Sequence, residues 1–149
     1  MSNAHRDLAD PEFTYDWYRE FLERLRSAGY RFRSFADDPD DGGVFLRHDV
    51  DLSPRRALDL ARLEADAGVS ATYLFLLSSP LYNPLEGEQR ANIREISSLG
   101  HDVGIHFSTH QYWAKDDPPR DGAIHDRVAA ERSAFDAVID ADAAPAVSF

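Results

Sequence analysis

The apolar residues of this chain follow two spacings, one typical of helices and one typical of short buried strands. The stretches with helical spacing begin near capping or proline residues and end at glycines or polar loops. They predict helices at about 14–28, 54–67, 88–99 and 124–139. Continuous apolar runs between them predict buried strands at 44–46, 70–77, 101–106 and 146–149. The first and third of these strands run into polar clusters, at 47–51 and 106–110.

Strands and helices alternate along the chain after residue 43, an order that is typical of stacked βαβ units around a parallel sheet. We therefore predict an α/β fold in a single domain over 1–149, with an N-terminal helix and acidic loop over 1–43 and βα units over 44–149. The last predicted strand stops at Phe149 without a closing element, which indicates the front portion of a longer domain. In such folds, reactive side chains gather at the C-terminal ends of the strands.

Composition excludes several classes of site and partner. The 149 residues include no cysteine, so disulfides, thiolate metal sites and cysteine nucleophiles are excluded. A net charge of −11 disfavours nucleic acid and anionic membranes as partners. No apolar run approaches the ~18 residues of a membrane-spanning helix, and the polar start of the chain does not resemble a secretory signal. These features predict a soluble, cytoplasmic protein and leave its oligomeric state open.

Asp49 and Asp51 are the first candidates for chemistry. Residues two positions apart on a strand point to the same face, so both carboxylates are expected in one pocket. Two close carboxylates repel each other unless a cation or a shared proton lies between them. One solution is a metal bound by one carboxylate while the other stays free as a base. The alternative is that Asp49 or Asp51 only caps the helix that begins at Pro54.

His106 and His110 are the second candidates. They face the same way if the loop after the strand forms a helical turn, and one divalent ion could then bind both imidazoles. Each could instead be an isolated surface or core histidine. Together with the acidic pair they supply an Asp-His-His set, which is sufficient for a catalytic metal with an open water position. Such a metal lowers the pKa of its bound water towards ~7 and polarises a carbonyl oxygen.

Several neighbours of these groups can be placed from the pattern alone. Arg47 faces the same side of its strand as Asp49 and could pair with it, whereas His48 points to the opposite face. His101, at the far end of its strand, is expected to be structural. Three aromatic residues on loops beyond strand ends are candidate sugar-stacking platforms, or else they cover a core: Tyr82, Tyr112 and Trp113.

Three segments carry a resemblance to a known family: 46–51 (LRHDVD), 69–75 (VSATYLF) and 99–106 (LGHDVGIH), the last followed by Thr109-His110. Their order and spacing resemble those of the polysaccharide deacetylases, the family-four carbohydrate esterases, over about residues 44–110. The resemblance implies a distorted (β/α) barrel, of which this chain covers roughly the first half. It also implies a divalent metal, usually zinc, and the removal of acetyl groups from N-acetylated sugars.

Carried over to this sequence, the resemblance makes Asp49 the catalytic base and Asp51, His106 and His110 the metal ligands. The chain departs from the family pattern at three points. Its carboxylates form an Asp-x-Asp pair rather than an adjacent pair, and Phe107 stands where many members have serine or threonine. The family's Arg-x-Pro segment and its distal histidine, the general acid, would lie beyond the last residue of this chain.

Two other interpretations remain open from the sequence. Residues 49–53 (DVDLS) also fit the Asp-x-Asp-x-Thr/Ser motif of haloacid-dehalogenase-type phosphatases. Asp49 would then be the nucleophile and Asp51 the acid/base, and His106 and His110 would have no role. The remaining interpretation is a non-catalytic, deacetylase-like module that binds metal or glycan without turnover.

Overall fold

A capped helix opens the part of the chain that the structure, a computed structural model, describes. The described residues are 13–35, 37, 43–114, 117, 119–120 and 122–139. Helix α1 (Tyr15–Ser27) begins where the Thr14 hydroxyl oxygen accepts a hydrogen bond from the Trp17 amide. It ends just before Gly29, whose φ of 88° lies in the left-handed region that favours glycine. Both ends agree with the predicted helix.

The segment predicted as one strand from Val44 is divided between two sheets. Strand β1 (Phe32–Arg33), which the sequence analysis missed, pairs in parallel with β2 (Val44–Phe45). The chain changes partner at Leu46, whose carbonyl is hydrogen-bonded to the main sheet, and continues as β3 (Arg47–Val50). The single-strand prediction is therefore wrong, because the pairing partner changes at Leu46 while the hydrophobic pattern does not.

Gly43 allows the chain to turn into β2. Its φ of 143° is one that residues with a side chain rarely adopt, and a Cβ there would lie 2.8 Å from the Arg31 carbonyl oxygen. That carbonyl accepts a hydrogen bond from the Val44 amide at 2.8 Å. A larger residue at 43 would therefore disturb the first contact between β1 and β2. Of the predicted acidic loop at 37–43, only residues 37 and 43 are described.

The main sheet has three parallel strands in the order β3–β4–β5, with β4 at Thr72–Phe75 and β5 at Asp102–Ile105. Helix α2 (Pro54–Asp66) connects β3 to β4, and α3 (Gly87–Ser98) connects β4 to β5. Helix α4 (Ala123–Ile139) follows β5. Ser53 caps α2 and Pro54 is its first residue, as predicted. The prediction of an α/β fold with parallel βαβ units is confirmed for the described residues.

The main core lies between this sheet and its helices. β4 pairs with a strand on each side and contributes the fully buried Tyr73 and Phe75, which explains why its sequence is a continuous apolar run. Val50 of β3 and Ala71 just before β4 belong to the same core, and the helices add seven further buried side chains: Ala57, Leu58, Ala61, Ile93, Ile96, Phe135 and Ile139. A smaller cluster of Leu22, Leu63 and Val69 packs α1 against α2.

The described strands form an open sheet and do not close into a barrel. The predicted fourth strand at 146–149 lies outside the described residues. None of the helices in the described part of the chain combines the length and the hydrophobicity that crossing a bilayer requires.

Candidate functional site

The polar ends of β3 and β5 lie at the same edge of the parallel sheet. Asp49 is in register with Leu74, and Leu74 with Gly104, so these three residues share one face. Asp51 and His106 each follow two positions later and extend that face beyond the strand ends. His106 stays attached to the sheet because its amide donates a hydrogen bond to the last carbonyl of β4 at 2.8 Å.

The imidazole of His106 lies between the two carboxylates. Its Nδ1 is 2.9 Å from Oδ1 of Asp51, a hydrogen-bonding distance, and its Nε2 is 3.8 Å from Oδ2 of Asp49. All three side chains remain partly exposed, and that of His106 is 24% accessible. The structure thus brings three of the four predicted site residues together at a position that solvent and ligands can reach.

Asp49 is also bound by Arg47 from the same strand. The Arg47 Nε donates to Oδ1 at 2.7 Å and Nη2 donates to Oδ2 at 3.1 Å. The predicted pairing of these two residues is confirmed, because residues two positions apart on a strand share a face. The two parallel hydrogen bonds fix the plane of the carboxylate, and each oxygen retains a lone pair for another donor.

Helix capping does not explain the acidic pair. Ser53 caps α2, since its hydroxyl oxygen accepts the hydrogen bond from the first turn of the helix. Asp51 instead contacts His106, and Asp49 is bound by Arg47. The interpretation in which one of the two carboxylates serves only as the helix cap is therefore wrong.

His110 is not part of this group in the structure. It lies in a short 3₁₀ turn (Thr109–Gln111), and its side chain is exposed. The helical turn considered in the sequence analysis forms, but it begins after His106, so the two imidazoles do not share one of its faces. Within the described residues, no three His, Asp or Glu side chains are grouped closely enough to hold a metal ion.

The donor atoms that do meet have the chemistry of a zinc site. Zinc takes imidazole nitrogen and carboxylate oxygen at about 2.0–2.2 Å, so two such ligand atoms on one ion lie about 3.3 Å apart. The 2.9 Å between Asp51 Oδ1 and His106 Nδ1 is close to this separation. Two of the three predicted ligands therefore fit a shared ion, and His110 lies apart from them.

A cavity of about 520 Å³ opens beside the two carboxylates. Its walls are β3 itself and the start of α2, including Ser53 and Arg56. The cavity exists because β3 is the outer strand of the described sheet, so its free side is not covered by another strand. The volume falls within the range of roughly 300–1,000 Å³ that is usual for small-molecule sites.

The sequence analysis missed a buried carboxylate directly behind the candidate site. Glu64 of α2 has no exposed surface, and it accepts hydrogen bonds from the hydroxyls of Tyr18 at 2.5 Å and Tyr73 at 2.6 Å. Its Oε1 also lies 2.7 Å from Nε2 of His48. A signal was available, because Glu64 falls one helical turn after Ala61 on the apolar stripe of α2.

Burial by itself would raise the pKa of Glu64. The hydrogen bond and charge of His48, together with the two tyrosine hydroxyls, outweigh burial and hold this pKa below its usual value. Burial and the nearby carboxylate in turn raise the pKa values of Tyr18 and Tyr73. The cluster therefore consists of a carboxylate with neutral phenols around it, and it joins α1, α2 and β4 to the strand that carries Asp49.

His101 is structural, as predicted. It is buried, its Nδ1 accepts a hydrogen bond from the Ala71 amide at 3.1 Å, and its Nε2 lies 2.9 Å from the Ala61 carbonyl oxygen. An amide only donates and a carbonyl only accepts, so we assign the tautomer with its proton on Nε2. Nδ1 is 3.8 Å from Glu64, but it has no proton to share with that carboxylate.

Tyr82, a candidate sugar platform in the sequence, has a structural role. Its hydroxyl accepts a hydrogen bond from the Leu76 amide at 2.9 Å and donates one to the Val50 carbonyl oxygen. The phenol thus joins the ends of β3 and β4 immediately before Asp51. Burial is the largest of the effects that raise the pKa of Tyr82 to about 12.

We expect the protein to lose stability as the pH rises above ~10, the usual pKa of tyrosine in an unfolded chain. The pKa of Tyr82 is raised to about 12, and those of Tyr18 and Tyr73 are raised as well. Since the folded state holds these protons more tightly, the free energy of unfolding is unaffected by them below ~10 and falls above it. Guanidinium unfolding across this range measures the loss, which should be smaller in Tyr82→Phe. Equal pH dependence in that variant and the wild type would contradict the role of Tyr82.

The site combines a carboxylate held by an arginine with a carboxylate–imidazole pair that suits a cation. A carboxylate in this position can accept a proton, and the Asp51–His106 pair presents two donor atoms of the kinds that divalent metals bind. No protein-family model, curated protein or solved structure matches the chain.

Proposed function

We propose that this chain is a metal-dependent hydrolase that removes acetyl groups from N-acetylated sugars, on a distorted (β/α) barrel of the polysaccharide deacetylase type. The observation that carries the proposal is the meeting of Asp49, Asp51 and His106 at one sheet edge, with 2.9 Å between Asp51 and His106. These residues come from two strands that are not adjacent, and each belongs to a motif that resembles the deacetylase family. The haloacid-dehalogenase interpretation gives His106 no role in this arrangement.

Asp51 and His106 would hold the metal, and His110, which lies apart from them here, would become the third ligand once the 3₁₀ turn that carries it moves toward them. The donor set of one carboxylate and two imidazoles favours zinc. When bound, the metal supplies a Lewis acid that polarises the acetamide carbonyl. Asp49 would accept the proton of the attacking water and return it to the leaving amine nitrogen as the C–N bond breaks, since a carboxylate within reach of the reacting group is a suitable general base and its protonated form an acid.

Arg47 would orient the base. Its two hydrogen bonds hold the Asp49 carboxylate in one plane, at 2.7 and 3.1 Å, and so limit the positions from which the carboxylate can take a proton.

We expect the purified chain, after exposure to Zn²⁺ and removal of free ion, to retain about one zinc per chain, held by Asp51, His106 and His110. His106→Ala and His110→Ala should each lose most of this zinc, whereas Asp49→Asn should keep it. Elemental analysis of the dialysed proteins measures the ratio. His125→Ala is the matched control, because His125 is an exposed histidine of α4 outside the candidate site.

Three results would distinguish the interpretations. Equal zinc in wild type, His106→Ala and His110→Ala would show that the metal site is assigned to the wrong residues. Absence of zinc together with hydrolysis of phosphate esters in the presence of Mg²⁺ would favour the phosphatase. Zinc retained by the wild type without acetate release from N-acetylated sugars would favour the non-catalytic module.

A further inference from the structure

Three aromatic side chains form a wall directly after His106. Phe107 stacks on Tyr112 with ring centres 5.7 Å apart, and Trp113 packs against both rings at 6.4 and 5.6 Å. We call these three residues the aromatic wall. Phe107 directly follows His106, so the backbone connects the wall to the candidate site.

Helix α4 holds the central ring of the wall in place. The Tyr112 hydroxyl donates a hydrogen bond to the nearly buried Glu131, and the Arg127 guanidinium carbon lies 4.6 Å from the centre of the Tyr112 ring. Tyr112 is thus engaged through its ring by Phe107 and Arg127 and through its hydroxyl by Glu131. It serves as a scaffold, and Trp113 is the member of the wall that can meet a ligand.

Trp113 lines a cavity of about 320 Å³ together with one face of α4. The facing residues are Ala123, Asp126, Arg127 and Ala130, which recur at the spacing of a single helix face. The two alanines leave room, and Asp126 and Arg127, which are consecutive in the sequence, contribute a carboxylate and a guanidinium. The cavity therefore has one flat apolar side, one hydrogen-bond acceptor group and one donor group, with no net charge.

We propose that this cavity binds a further sugar ring of an extended substrate, as a subsite of the protein; the inference rests on the proposed function. A pyranose has a face of C–H groups, which packs on an indole, and an edge of neighbouring hydroxyls. Those hydroxyls can donate to Asp126 and accept from Arg127. A mostly preformed cavity with a few placed polar groups is the usual form of a small-molecule site.

The chain offers a direct probe, because Trp17 and Trp113 are its two tryptophans. In Trp17→Phe, the fluorescence reports on Trp113 alone. Titration with the trisaccharide of N-acetylglucosamine should then give a saturable change in emission. Trp113→Ala should weaken binding of the trisaccharide about tenfold by calorimetry, as expected for loss of one aromatic contact. Tyr30→Ala, which removes an exposed aromatic ring elsewhere, is the control and should bind as the wild type does.

The subsite and the proposed function can fail separately. Trisaccharide binding that depends on Trp113 in a chain that releases no acetate would support the subsite and overturn the deacetylase proposal. Acetate release with no emission change in Trp17→Phe, and with equal trisaccharide affinity in Trp113→Ala and Tyr30→Ala, would overturn the subsite alone. Asp126→Ala offers a second check if Trp113→Ala fails to fold, and unchanged affinity in it would count against the predicted hydroxyl contact.

Discussion

Replacing Glu64 with alanine is expected to lower the free energy of unfolding by about 3–5 kcal/mol. This is the usual cost of removing one partner of a buried charged pair. The substitution leaves the hydroxyls of Tyr18 and Tyr73 and the imidazole of His48 without their acceptor. Each unsatisfied buried polar group costs about 1–3 kcal/mol. The expected loss is a large share of the 5–15 kcal/mol that stabilises a typical domain, an order-of-magnitude range. Guanidinium unfolding followed by circular dichroism measures it.

Two further variants make this test specific. Glu95 pairs with Arg62 at the protein surface, so Glu95→Ala should change the free energy of unfolding by about 1 kcal/mol or less. Glu64→Gln keeps the volume and one acceptor oxygen, and its loss should lie between those of the two alanine variants. It also supplies a measurement if Glu64→Ala does not fold. A loss in Glu64→Ala no greater than that in Glu95→Ala would show that the buried cluster is not a major stabilising feature.

Replacing Asp49 with asparagine is expected to slow acetate release from N-acetylated sugars by about 10²–10⁴-fold, the usual contribution of a general base. An amide cannot accept the proton, yet its oxygen can still take a hydrogen bond from Arg47, so the local fold should be preserved. Steady-state rates with the zinc-loaded protein measure the effect. Zinc content should stay unchanged, which separates loss of the base from loss of the metal.

Asp59→Asn is the matched control for this substitution. Asp59 lies on α2 and pairs with the arginines Arg56 and Arg62 on the helix surface. Removing its charge should leave the rate of acetate release within about twofold of the wild type, since exposed ion pairs contribute about 0–1 kcal/mol. Equal rates in Asp49→Asn and wild type would contradict the assignment of Asp49 as the base. A zinc-loaded wild type that releases no acetate would contradict the proposed activity itself.

The features that the sequence predicted well are those set by short-range pattern. The Ser53 cap and the proline at the start of α2 depend only on neighbouring residues. The continuous apolar sequence of β4 reflects its central position in the sheet. The meeting of Asp49 and Asp51 with His106 also follows from local facts. Strand alternation sets the face, and parallel strands bring their C-terminal ends to one edge.

The features that the sequence did not reveal depend on tertiary partners. The break at Leu46 arises because the chain exchanges β1 for β4 as its neighbour, and no change in hydrophobicity marks that exchange. The role of Glu64 required knowing that tyrosines from two other elements converge on its helix face. The position of His110 depends on where the 3₁₀ turn begins, and the His-x3-His spacing alone does not fix that residue.

The strand order also has a consequence for how the protein is made. In the main sheet, β4 pairs with β3 and β5 pairs with β4, and a chain emerges from the ribosome with its N-terminal part first. The contacts of Glu64 with His48 and Tyr73 span 16 and 9 positions, so they can form before β5 has been translated. The contact between Asp51 and His106 spans 55 positions. A chain that ends just before His106 therefore contains every partner of Glu64 named here but lacks a member of the site.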